Sequence, residues 1–206
     1  MNLKKSEIEN LAETARNFYQ KGWTPATSGN LSFLVSRNPF RLAITPSRVS
    51  KSSLRPDQII IVDEKGRKIH GNGNPSDELK LHLAIYQGKT EANSVLHTHS
   101  ICNTLISDFF FKKGKVKLKG YEIIKVLNRN YSHKSQALIP ILENSQDYDQ
   151  LSKKFIELLK KNSDIHGILL KQHGLYTWGE NLDDAVHHVE ALEFLFETLM
   201  RQSELK

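Results

Sequence analysis

Between Leu31 and Leu170 the sequence returns repeatedly to apolar runs too short to make a helix. Leu31-Ser32-Phe33-Leu34-Val35, Gln58-Ile59-Ile60-Ile61-Val62-Asp63, Leu138-Ile139-Pro140-Ile141-Leu142 and Gly167-Ile168-Leu169-Leu170 are the clearest, with stretches of helical period between them. This interleaving constrains the fold more than any other feature, because short strands gain stability only in a sheet whose apolar faces are covered. Several connections are hairpin-like, so the sequence predicts a three-layered α/β arrangement, a mostly antiparallel or mixed central sheet covered by helices. A chain of 206 residues with 38% hydrophobic content can build one well-buried core, and residues 1–206 are expected to form a single domain.

The helices announce themselves by period and by caps. Ser6 with Glu9 reads as a capping box ahead of Ile8, Leu11, Ala12, Ala15, Phe18 and Tyr19. Asn74-Pro75-Ser76-Asp77-Glu78 reads as a helix start, with Asn74 as cap and Pro75 at the first helical position, and the helix is expected to run to about Gln87. Further helices are expected over 100–107, 147–161 and, capped by Asn181, along the stripe of Leu182, Ala185, Val186, Val189, Leu192, Phe196 and Leu199. A second strand is expected at Leu42-Ala43-Ile44, and residues 108–120 read as loop or irregular strand.

Composition narrows the classes of function. The single cysteine, Cys102, excludes an intramolecular disulfide and a cysteine-rich zinc site. No run approaches the length of a membrane span and the first residues lack an apolar leader core, so a cytoplasmic protein is expected. The net charge of +6 is densest over 111–119, yet no nucleic-acid-binding motif surrounds that run, and a solvated loop or strand edge accounts for it. A net positive field also favours an anionic small molecule such as a sugar phosphate.

Ser94-Val95-Leu96-His97-Thr98-His99-Ser100 reads as a strand with Val95, His97 and His99 on one face. Two imidazoles one pleat apart suit either a plain polar strand or a metal pair, and His173 in Lys171-Gln172-His173-Gly174 could complete a three-ligand site with an open position. Ser28-Gly29-Asn30, Thr45-Pro46-Ser47 and Ser76 are small-residue loops at element ends. They suit a phosphate as well as they suit plain turns. Glu78 reads either as a helix-dipole acid or as a carboxylate beside a metal. Glu122 is the lone acid of Tyr121-Glu122-Ile123-Ile124-Lys125-Val126, and reads either as a partly buried proton carrier or as the exposed partner of Lys125. The other histidines, His70, His82, His133, His166, His187 and His188, are expected in surface or packing roles.

Taken together, Ser28-Gly29-Asn30-Leu31-Ser32, Ile44-Thr45-Pro46-Ser47, Pro75-Ser76-Asp77-Glu78, His97-Thr98-His99 and Gln172-His173-Gly174 resemble the class II aldolase and adducin-head family, in that order along the chain. The resemblance implies a catalytic divalent metal, zinc by expectation and one per subunit, on His97, His99 and His173. It also implies that Ser28, Gly29, Asn30, Thr45, Ser47 and Ser76 bind the phosphate of a ketose 1-phosphate. Residues 120–125, 139–144 and 173–179 resemble the dehydratase branch, where the acid matching Glu122 is the catalytic acid/base. Retention of Glu78 resembles the aldolases and leaves aldol cleavage or 4-epimerisation open. A non-catalytic, adducin-like interaction module is a further reading. Family likeness also implies a homotetramer.

Overall fold

The computed structural model describes residues 5–127 and 136–204; His133 lies outside them. The strands are β1 (Asn30–Arg37), β2 (Phe40–Ile44), β3 (Ile60–Val62), β4 (Lys68–His70), β5 (Ser94–Thr98), β6 (Lys115–Lys119), β7 (Gln136–Leu142), β8 (Gly167–Leu170) and β9 (Gly174–Gly179). They form one mixed sheet in the order β4-β3-β2-β1-β5-β9-β8-β7-β6. Neighbours pair antiparallel except β7 with β8. Among the described residues six helices accompany the sheet: α1 (Lys5–Gln20), α2 (Leu79–Gly88), α3 (Ile101–Phe109), α4 (Ile124–Leu127), α5 (Tyr148–Lys161) and α6 (Leu182–Glu204).

The expected three layers are present, and side-chain alternation along the strands explains them. Leu42, Ile44, Ile60, Val62, Val95, Ile168 and Tyr176 point to one face, where α2 and α5 bury Leu81, Ile85, Leu151 and Phe155 against them. Leu31, Phe33, Ile61 and Leu96 point to the other face and meet Leu11, Ala15 and Phe18 of α1 with Ala185 and Val189 of α6. Farther along that second face, Ile139, Leu169 and Leu175 pack with Ile106 of α3, Ile124 of α4 and Leu195 and Phe196 of α6. Each fully buried Leu, Ile or Phe in these layers stabilises the fold by about 1.5–3 kcal/mol relative to exposure.

Several boundaries differ from the sequence reading, each for a local reason. Ser6 lies inside α1 and does not cap it. The helix expected from Asn74 begins at Leu79 with Glu78 at its cap position, because Ser47 N–H takes the Asn74 carbonyl and ties that segment to the β2 exit. The 58–63 run yields a strand of only three residues, since Pro56–Gln58 winds as a 3₁₀ turn. Most of 108–120 is ordered: Phe111–Lys113 is a 3₁₀ turn, and β6 is a sheet edge on which Val116 and Leu118 are buried while Lys115, Lys117 and Lys119 are exposed. Asn181 caps α6 as expected, accepting from Asp184 N–H at 2.8 Å, and Asp147, expected as the first residue of α5, caps it instead by accepting from Gln150 N–H at 2.9 Å.

Candidate metal centre

Pairing of β5 with its two neighbours builds the site. In register, Asn30 of β1 stands opposite His97 and Tyr176 of β9 stands opposite His97 on the other side. The turn Lys171–His173 joins β8 to β9 and delivers His173 to the same sheet end. Two glycines let the backbones close around His97. A Cβ on Gly174 would lie 2.2 Å from the Thr98 carbonyl oxygen and 2.9 Å from His97 Cε1, and Gly29, at φ +70°, would place one 2.7 Å from the His97 carbonyl oxygen.

His97, His99, His173 and Glu78 each offer one ligand atom, and these four atoms lie within 4.8 Å of one another. His99 Nε2 is 2.7 Å from His97 Nε2, His173 Nε2 is 3.0 Å from Glu78 Oε1, and His97 Nε2 is 3.7 Å from the same oxygen. Tetrahedral bonds of 2.0–2.1 Å set neighbouring ligand atoms about 3.3 Å apart, so the observed separations bracket what such an ion needs. The outer contacts fix which nitrogens face inward. His97 Nδ1–H donates to the Leu175 carbonyl at 3.0 Å and His173 Nδ1–H to Asn144 Oδ1 at 3.1 Å, which leaves both Nε2 lone pairs directed at the centre. Tyr176 stacks on the His97 ring at 3.8 Å and 9°, and its buried hydroxyl has no hydrogen-bond partner among the described residues.

The electrostatics suit a cation. Burial alone would raise the Glu78 pKa, but the charge of His97 and hydrogen bonds with His173 and His97 outweigh it and hold the carboxyl well below the usual range. Burial lowers His97, and it lowers His99 to about 2 with help from the charges of His97 and His173. An ionised carboxylate and unprotonated ring nitrogens in one cluster are reconciled by a divalent ion between them. The donor set therefore fits a metal of the zinc type, with three imidazoles and one carboxylate.

The three small-residue loops meet beside this cluster. Thr45 N–H donates to the Leu31 carbonyl at 3.0 Å, and Thr45 Oγ1 accepts from Leu31 N–H at 3.2 Å. Ser47 is tied to the Asn74 carbonyl, and Ser76 Oγ accepts from Glu78 N–H at 3.3 Å. Ser28 Oγ donates to the Pro25 carbonyl at 2.7 Å. The Asn30 side chain does not face an open loop: it is buried, and it donates to Glu78 Oε2 at 2.5 Å.

Glu122 differs from the partly buried reading. Its side chain is 73% exposed, pairs with Lys125 three residues on, and does not belong to the histidine group. The apolar residues of 121–127 turn Ile124 and Leu127 into the core behind α4, which leaves the acid on the solvent side.

Of three buried polar residues near the centre, two escaped the sequence reading and His82 was read only as a surface or packing residue. Lys51, 1% exposed, donates from Nζ to the Thr27 carbonyl at 2.9 Å, and burial, partly offset by Glu78, lowers it to about 8. Nothing in its neighbourhood of serines signals burial. Glu193 of α6 accepts from Ser100 Oγ at 2.5 Å, Asn103 Nδ2 at 2.9 Å and Thr98 Oγ1 at 3.3 Å. His82 of α2 is fully buried. The last two had a signal, since Glu193 falls between Val189, Leu192 and Phe196 and His82 between Leu79, Ile85 and Tyr86, each on its helix's apolar stripe.

Residues 9–200 match the class II aldolase and adducin N-terminal domain family. The methylthioribulose-1-phosphate dehydratase of Methylococcus capsulatus is 40% identical over 196 residues, covering 95% of this chain and 94% of that protein. The enzyme of the same name from Hahella chejuensis is 35% identical over 198 residues, covering 96% and 94%. Among solved structures, a sugar-phosphate aldolase from Thermotoga maritima shares the fold with a TM-score of 0.78 at 20% identity, covering 98% of this chain and 97% of its own. An L-fuculose-1-phosphate aldolase from Thermus thermophilus does so with a TM-score of 0.76 at 19% identity, over 98% and 97%.

Proposed function

From the premise that the chain belongs to the class II aldolase and adducin N-terminal domain family, we propose that it is a methylthioribulose-1-phosphate dehydratase of methionine salvage. The reaction removes water from 5-methylthioribulose 1-phosphate to give 2,3-diketo-5-methylthiopentyl 1-phosphate. The observation that carries this reading is the convergence of His97, His99, His173 and Glu78 in a chain 35–40% identical to dehydratases over nearly its full length. The adducin-like reading without catalysis gives no reason for three imidazoles and an acid to converge.

We assign His97, His99 and His173 as the ligands of one zinc ion per subunit. When bound, the ion supplies Lewis-acid polarisation of the substrate carbonyl, which makes the adjoining carbon 3 hydrogen acidic. Phosphate is held by the loops of Ser28, Gly29, Thr45, Ser47 and Ser76, with Asn30 contributing through its backbone. Glu122, on its likeness to the dehydratase branch, takes the carbon 3 proton and protonates the carbon 4 hydroxyl as it leaves. Its exposed carboxylate serves the site of a neighbouring subunit in a homotetramer of single-domain chains, and the protein works in the cytoplasm on a small-molecule substrate, without nucleic acid or membrane. No helix among the described residues is long and apolar enough to cross a membrane.

A second reading has one observation in its favour. Glu78 stands within the ligand group, where an acid could instead take the carbon 4 hydroxyl proton and favour aldol cleavage, or a 4-epimerisation built on it. Mass spectrometry after incubation with methylthioribulose 1-phosphate separates the three. Dehydration gives a product lighter by one water. Two fragments would establish cleavage, and an unchanged mass with altered stereochemistry would establish epimerisation.

A further inference from the structure

Behind Glu78 runs a file of four buried polar side chains. Asn30 Nδ2 donates to Glu78 Oε2 at 2.5 Å, and Asn30 Oδ1 lies 2.5 Å from His82 Nε2. His82 Nδ1 lies 2.8 Å from Ser32 Oγ, which lies 2.9 Å from the Tyr86 hydroxyl. All four side chains are at most 4% exposed, so each must find its partners within the protein.

Chemistry fixes the direction of every bond in the file. Asn30 gives its NH₂ to Glu78 and so turns its oxygen toward His82. That oxygen has no proton to give, so His82 must carry its hydrogen on Nε2. His82 Nδ1 then accepts from Ser32 Oγ–H, and Ser32 Oγ in turn accepts from Tyr86 O–H. All donors point one way, from Tyr86 through Ser32, His82 and Asn30 to Glu78, an arrangement in which each bond polarises the next. The opposite orientation of Asn30 would set its oxygen against the carboxylate.

We propose that His82 is a positioning residue for the metal centre. It does not touch the ligand atoms. By holding the Asn30 amide in one of its two orientations, it keeps the Glu78 carboxylate aimed at His97 and His173. Ser32 acts one step further back, by fixing the tautomer of His82. This assignment rests on the metal-centre reading above, but not on the identity of the substrate.

Zinc titration of the metal-free protein against a chromophoric chelator tests it, with thermal unfolding as the control for folding. His82→Leu and Asn30→Ala should each weaken zinc binding ten- to a hundredfold, the usual effect of losing an outer-shell partner. The double variant should bind no more weakly than Asn30→Ala alone, because His82 acts only through Asn30. His82→Gln, whose amide can donate to Asn30 Oδ1, should regain most of the affinity. Unchanged zinc affinity in His82→Leu, or an effect additive with Asn30→Ala, would overturn the proposal. If His82→Leu does not fold, Ser32→Ala replaces it in the same cycle with a smaller expected loss and the same criterion. A protein that binds zinc as described yet leaves methylthioribulose 1-phosphate unchanged would refute the proposed reaction and leave the relay standing.

Discussion

The strand that carries His97 has two faces, and a buried acid waits on each. On the α2 and α5 side, Glu78 meets the imidazoles of His97 and His173 and the amide of Asn30. On the other, Glu193 of α6 meets two hydroxyls and an amide, from Thr98, Ser100 and Asn103. Burial acts in the same direction on both. It is overcome at Glu78, which stays well below the usual range, and prevails at Glu193, which rises to about 7 despite its three hydrogen bonds. Burial decides at Glu193, and the neighbouring imidazoles decide at Glu78.

The contrast breaks most completely if the rings are removed. His97→Ala, His99→Ala or His173→Ala should abolish stoichiometric zinc, measured by metal analysis, and turnover should fall by several orders of magnitude. Full zinc occupancy in any of the three would contradict the ligand set. Glu122→Gln asks whether the histidine face suffices without an acid from elsewhere. It should keep zinc and substrate binding while kcat drops about 10²- to 10⁴-fold, the range for loss of a general acid/base. Near-normal kcat would move the proton transfers to Glu78.

A smaller effect sharpens the comparison through pH. Glu193 has a folded pKa raised from 4.5 to about 7, so its contribution to stability is complete below pH 4.5 and is lost as pH rises through 7. His82 runs the other way: lowered from 6.5 to about 3 by burial and the charge of His97, it contributes fully above pH 6.5 and loses that contribution as pH falls. Glu193→Gln cannot ionise and should therefore raise the Tm of the metal-free protein at pH 8 relative to pH 5, by several degrees against wild type. An unchanged difference would mean that Glu193 ionises in the fold at little cost. Smallest of all, Thr98→Ser keeps the hydroxyl toward Glu193 and should change Tm by no more than about 1–2 °C, an effect of a few tenths of a kcal/mol.

The features legible in the sequence were those with a period, while of the caps read from it only Asn181 stands where expected. The apolar stripes of α1, α5 and α6, the short strands and the His97 strand could all be read, because their signals are local. What could not be read depends on register between distant segments. Asn30 looked like part of a loop because nothing near it in sequence says that β1 pairs with β5 and sets it against Glu78, 48 residues on. For Glu122 the sequence left two readings open and the structure has the exposed partner of Lys125, because its apolar neighbours turn inward past it. Glu193 and His82 were written on apolar stripes, where a lone polar residue among aliphatics signals either a packing fault or a buried partner.

The β6 edge, with Lys115, Lys117 and Lys119 standing outward over buried Val116 and Leu118, carries a consequence for how the molecule behaves in a crowded solution. An unpaired strand is a template that a second copy could extend, and a row of ammonium groups makes that extension repulsive. The basic run thus disfavours pairing with a second copy along this edge. Exchanging those three lysines for threonine would leave the fold's hydrogen bonds intact and remove that repulsion, and the same sheet would then be open to pairing edge to edge.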